Sequence, residues 1–130
     1  MDIVIDFDGT CVTHNYPEIG KEIGATPVLR ALADAGNRLI LFTMRSNDKK
    51  GHNTTLDEAV EWFRERDIPL FGIQTNPTQS FWTSSPKAYG DIYIDDSALG
   101  CPLVYPENGD RPYADWLMLR EMLIAAGAIV

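Results

Sequence analysis

The amino-acid sequence predicts an α/β fold, with a central parallel β-sheet of about five strands flanked by helices in one domain spanning 1–130. Two observations carry this. Short apolar runs alternate with longer segments of helical periodicity, the pattern of a parallel sheet covered by helices. Three of the runs also stop at polar groups: Ile3-Val4-Ile5 at Asp6, Leu39-Ile40-Leu41-Phe42 at Thr43, and Ile92-Tyr93-Ile94 at Asp95-Asp96. The carboxyl ends of such strands are where ligands bind in open α/β sheets.

Taken in order, the first strand covers about residues 2–7, a buried run that ends in the Asp8-Gly9 turn. The segment from Pro27 to Ala35 has apolar residues at helical spacing, with proline at its start and Gly36 at its stop. A second strand follows at Arg38–Thr43. Thr55-Leu56-Asp57-Glu58 reads as a capping box opening a helix to about Arg66. Leu70–Gln74 and Ile92–Asp95 are the third and fourth strands, and Pro102–Tyr105 is a short fifth. The last helix is expected from near Pro112 to Ala126, its stripe of Trp116, Leu117, Leu119, Met122 and Leu123 packing in the core. Residues 44–54 and 75–90 are the polar stretches long enough to be functional loops.

With 130 residues, 45% hydrophobic and 23% charged, the chain has the composition of an ordinary globular domain. No apolar run approaches the roughly 18 residues of a membrane span. No signal peptide is expected, because the first strand already carries the acidic motif. Cys11 and Cys101 lack metal-ligand spacing and are expected as free thiols in a reducing cytoplasm. The net charge of −8 argues against a general nucleic-acid binder, although a nucleotide-sized substrate remains compatible with it.

Asp6 and Asp8 end a hydrophobic strand, and two acids in that setting are costly unless a cation, a proton or hydrogen-bond donors compensate them. The plain alternative is an Asp-Gly turn that merely terminates the strand. Asp95 and Asp96 add two more carboxylates. Four hard oxygen donors suit Mg²⁺ better than a metal that seeks thiol or imidazole.

Asp6-Phe7-Asp8-Gly9-Thr10, Thr43 after its apolar strand, Lys87, and Asp95-Asp96 closing the next strand stand in the order of the four motifs of the haloacid-dehalogenase-like (HAD) hydrolase superfamily. The chain resembles that family over residues 1–96. The resemblance implies a three-layer Rossmann-like fold. Residues 11–26 have the size of the family's flap, and neither place where a cap domain is usually inserted has room for one. A capless member with an open site is therefore expected.

The resemblance further implies a Mg²⁺-dependent phosphatase. Asp6 would be the nucleophile, forming an aspartyl-phosphate. Asp8 would be the general acid and then the base. The metal ligands would be Asp6, the Asp8 main-chain carbonyl, and Asp95 or Asp96. Thr43 would hydrogen-bond a phosphoryl oxygen, and Lys87 would neutralise charge and hold Asp6 in place. Arg45, two residues beyond Thr43, is a candidate fork for substrate phosphate. His14 is a candidate substrate contact, and Phe81 and Trp82 a candidate aromatic lip, against the alternative of packing on the sheet edge. Lys49, Lys50 and His52 form a small basic cluster, expected to be a solvated loop.

A narrower reading is a nucleotidase or a phosphatase of nucleic-acid ends. A receiver-type signalling domain gathers similar residues, but in a different order along the chain. A non-catalytic phospho-ligand-binding module would be expected to lack a motif residue. The partner implied is a phosphorylated substrate, and a homo-oligomer is compatible with an open site.

Overall fold

In the computed structural model, which describes residues 1–130, the main sheet has four parallel strands: β1 (Asp2–Ile5), β2 (Arg38–Leu41), β3 (Gly72–Ile73) and β4 (Ile92–Ile94). Their order is β3-β2-β1-β4, so β1 is central, flanked by β2 and β4. The register pairs Ile5 with Leu41 and with Ile94, which brings the residues after all three to one rim. No helix is long and apolar enough to cross a membrane.

Side chains alternate across the strands. Ile3, Ile5, Leu39 and Leu41 face one side and join α1 (Ala25–Asp34), α2 (Thr55–Glu65) and α3 (Trp116–Ala125) in one core with Phe7, Leu29, Leu32, Trp62, Phe63 and Leu119. Val4 and Ile40 face the other side, against Ala88. Topology explains the asymmetry. The steps β1-α1-β2-α2-β3 move outward in one direction, so right-handed crossovers place both helices on the same face. The return from β3 to β4 must then cross the opposite face. That connection contains one 3-10 turn, Gln79–Phe81, and no α-helix. The three-layer expectation is corrected accordingly: helices cover one face and a loop covers the other.

Two buried amides organise that loop. Asn76 donates to Asp2 and to the Tyr89 carbonyl, and Gln79 donates to the carbonyls of Ser85 and Lys87 while accepting from the Tyr89 N–H. Buried polar groups with this many partners replace the backbone bonds a helix would have supplied.

The expected fifth strand is not part of the main sheet. Leu103–Val104 (β5) pairs antiparallel with Tyr113–Ala114 (β6) in a separate two-stranded ribbon. The chain at 113–114 is thus extended, and α3 starts later than expected, at Trp116. Asp115 caps it, accepting from the N–H groups of Leu117 and Met118. Trp116, Leu119 and Leu123 are buried, whereas Leu117 and Met122 are exposed, so only part of that stripe is core. The capping box at Thr55 does not form either. Thr54 is the cap residue, and the Thr55 hydroxyl lies within hydrogen-bond distance of both Ser46 O and Asn53 Oδ1 in the preceding loop, donating to one at a time.

Candidate active site

Asp6 follows β1, and Asp95 and Asp96 follow β4, at adjacent strand ends. Their carboxylate oxygens lie within 4.8 Å of one another. Burial, then the charge of Asp95, raises the pKa of Asp6 to about 7. Three oxygen donors packed this closely repel one another until a proton or a hard cation joins them, and the donor set fits Mg²⁺. The Asp8 main-chain carbonyl, two residues beyond Asp6, accepts no hydrogen bond.

Thr10 ties the acids together. Its hydroxyl lies 2.9 Å from Asp6 Oδ2 and 3.0 Å from Asp96 Oδ1, and accepts from the Asp96 N–H at 2.9 Å. One hydroxyl proton serves one carboxylate at a time. The Thr10 carbonyl accepts from the buried Trp116 indole N–H at 2.7 Å, which anchors the motif loop to α3. Gly9 adopts φ +80, and a Cβ there would strike His14 Nε2 and Asp96. Only glycine fits that turn.

His14 approaches the acids. Its Nε2 lies 2.8 Å from Asp96 Oδ2. Both oxygens of Asp96 are therefore engaged, by His14 and Thr10. Asp95 has one oxygen on the Ser97 N–H and the other without a partner.

Arg45 does not face the site. It is 1% exposed, and every N–H of its guanidinium is used. Nε and Nη2 grip the two Asp8 oxygens, each at 2.8 Å. The remaining donors reach the carbonyls of Pro17, Glu18 and Thr55. No donor is left for a phosphate, so the substrate-binding expectation for Arg45 is corrected: it is a positioning residue that fastens Asp8 and the flap to α2. The flap itself is slight, a single antiparallel bridge between Val12 and Glu22.

Thr43 lies at the same rim, and its hydroxyl accepts from the Arg45 N–H at 3.1 Å. Gln74 braces that turn, accepting from the Thr43 N–H and donating to the carbonyls of Thr43 and Arg45. Lys87 does not hold Asp6. It is exposed, with Nζ 5.3 Å from the Tyr93 ring centroid. Tyr93 lies on β4, the strand that Asp95 and Asp96 follow, so Lys87 stands near the strand that leads into the acids.

Phe81 and Trp82 form no lip. Trp82 packs edge-on to Tyr89, which bonds Asp91 beside Asp2, at the amino end of the sheet. Cys11 and Cys101 are free.

A solved structure of a conserved protein from Bacteroides thetaiotaomicron is 34% identical to this chain, with a TM-score of 0.75 over 97% of this chain and 91% of that one. The chain belongs to the family of that conserved protein. No protein-family model matches it, and no curated protein does. The Bacteroides relative is described as conserved, without an activity, and what the acid cluster does rests on its chemistry.

Asp6, Asp8, Asp95 and Asp96 are marked by their places at strand ends, whereas Thr10 and Gln74 carry no such mark and Trp116 reads only as a core residue of the last helix. Thr10 lay within the quoted motif, so its small polar side chain beside the acids was a usable signal. Gln74 acts through loop geometry that leaves no periodic trace, and the helical stripe that marks Trp116 as core does not reveal its indole bond to the Thr10 carbonyl.

The raised Asp6 pKa sets a sign. Between about pH 4 and pH 7 the folded chain binds a proton that the unfolded chain has released, so metal-free stability falls as pH rises through this window. Mg²⁺ binding must expel that proton. The rise in Tm on adding Mg²⁺ is therefore expected to be larger at pH 8 than at pH 6, as read by thermal unfolding with and without chelator.

Proposed function

We propose that this protein is a capless, Mg²⁺-dependent phosphatase of the HAD type that hydrolyses phosphomonoesters through an aspartyl-phosphate on Asp6. The observation that carries the reading is the convergence of Asp6, Asp95 and Asp96 at the rim of a central parallel strand. It is supported by the motif order Asp6–Thr10, Thr43, Lys87, Asp95–Asp96.

Asp6, the Asp8 carbonyl and Asp95 would hold Mg²⁺. Asp95 is favoured over Asp96 as the direct ligand because it keeps an oxygen without a partner. The ion would screen the three acids and withdraw charge from the phosphoryl oxygens. Asp6 attacks phosphorus as its carboxylate. Thr43, once its hydroxyl turns to the substrate, positions the phosphoryl group. Lys87 would have to leave Tyr93 to neutralise it. Asp8 protonates the leaving oxygen and then takes a proton from water, which requires one of its oxygens to leave Arg45. A cytoplasmic location accords with two free cysteines.

The test is hydrolysis of an aryl phosphate with Mg²⁺ and with chelator, for the native protein and Asp6→Asn. Turnover that needs Mg²⁺ and is lost in Asp6→Asn supports the reading. A native protein that folds and binds Mg²⁺ but hydrolyses neither this nor any of a panel of small phosphomonoesters contradicts it.

A further inference from the structure

Beside the acids lies a second site that the phosphatase reading does not use. A cleft of about 330 Å³ is lined by Thr13, His14, Asn15 and Lys21 of the flap and by Pro106, Asp110, Arg111 and Tyr113 of the 106–113 segment. Seven of its eight lining residues carry a polar group, while the exposed surface is shared about equally between polar and apolar atoms. Lys21 and Arg111 form no ion pair, although the chain carries 19 acidic residues against 11 basic ones. The acid in the cleft, Asp110, accepts from Asn108. Two unpaired cations converging on one concave surface of an acidic protein form a local attraction for an anion.

Both walls are tied to the motif loop that follows Asp6, the flap by the Gly9 N–H, which donates to the Val12 carbonyl at 2.8 Å. The flap wall is closed by the Thr13 N–H to the Lys21 carbonyl and the Lys21 N–H to the Thr13 hydroxyl. The other wall is tied to the motif loop by the Ala114 N–H, which donates to the Gly9 carbonyl at 2.9 Å. His14 belongs to both sites: its ring lines the cleft while its Nε2 meets Asp96. A ligand in the cleft therefore lies one imidazole away from the acid cluster.

We infer that this cleft binds a second anionic group of the substrate, so that the preferred phosphomonoester is small, polar and carries a carboxylate or another phosphate. The inference rests on the phosphatase reading for the first group. Lys21 and Arg111 form charge-assisted bonds to the second anion, Arg111 as a planar fork. Thr13, Asn15 and Tyr113 supply hydrogen bonds to the short backbone between the two groups.

The experiment compares kcat/KM for phosphoglycerate, a propanediol bisphosphate and glycerol phosphate, with aryl phosphate as the reference for phosphatase activity. Expected is a preference of about tenfold or more for one doubly anionic compound over glycerol phosphate, the size of a charge-assisted bond. Whichever compound wins identifies the carboxylate or the phosphate. That ratio collapses toward one in Lys21→Gln and Arg111→Gln, mainly through KM, and returns in part with Lys21→Arg. Aryl phosphate turnover with no such preference, or a preference that survives both variants, overturns the inference and leaves the phosphatase reading standing. If no phosphomonoester is hydrolysed, that reading fails, and calorimetry of phosphoglycerate on the native protein decides the cleft alone. Binding lost in both variants then retains it; no binding, or binding that survives both, removes it.

Discussion

Replacing Arg45 with methionine is expected to destabilise the protein by about 3–5 kcal/mol, the cost of leaving a buried charge without its partner. That is a large share of the roughly 5–15 kcal/mol that holds a domain folded. The loss has two parts. Asp8 is left ionised in a partly enclosed site, and the carbonyls of Pro17, Glu18 and Thr55 lose their donors. Arg45→Lys is expected to recover little, because an ammonium cannot bridge both Asp8 oxygens and reach three carbonyls. Removing the stranded charge as well, in Arg45→Met with Asp8→Asn, should restore part of the loss, with a coupling of about 0.5–3 kcal/mol. Urea denaturation of these four proteins, together with Asp8→Asn alone to complete the cycle, measures this. A loss below about 1 kcal/mol for Arg45→Met would mean that the clamp does not form.

The second large effect has the opposite sign. Asp6→Asn is expected to remove turnover and yet stabilise the metal-free protein, because the ionised carboxylate it replaces is held against burial and against Asp95. With the Asp6 pKa raised from 3.8 to about 7, the advantage of the variant grows from near zero at pH 4 to its full value above pH 7. Its size there is of the order of 2–4 kcal/mol. The Thr10 hydroxyl can still donate to the amide oxygen, so the loop keeps its tie. Saturating Mg²⁺ should narrow or reverse the gap, since on the proposed function the ion would stabilise the native acid cluster more than the variant's. Thermal unfolding of both proteins across pH, with and without Mg²⁺, separates these cases. An Asp6→Asn variant less stable than the native protein at pH 8 without metal would show that the cluster is not strained.

Much of this was legible in the sequence because strand burial leaves a direct trace. Continuous apolar runs located β1, β2 and β4, and their polar terminators located the acids at one rim. The miscount of strands has a physical origin: Pro102–Tyr105 has the composition of a strand, but its partner, Tyr113–Ala114, was read as the start of α3. Apolar content does not reveal which backbone supplies the second half of a pair. The covering of the second face was equally hidden, since Asn76 and Gln79 look like ordinary loop polar residues until their bonds to Asp2, Ser85 and Lys87 are seen. Arg45 shows the same limit from the other side. An arginine two residues beyond a phosphate-type threonine suggests a substrate fork, and only the three-dimensional position of Asp8 and the flap carbonyls turns it into a clamp. The position of Lys87 over Tyr93 depends on a side-chain torsion that no sequence pattern encodes.

The most direct test of the central claim is to trap the covalent intermediate. Native protein turning over aryl phosphate with Mg²⁺ would be quenched in acid, digested and analysed by mass for a phosphoryl group. Expected is a phosphorylated peptide carrying Asp6, absent with chelator and absent in Asp6→Asn. Turnover accompanied by a phosphoryl group on His14, or sustained by Asp6→Asn, would contradict Asp6 as the nucleophile.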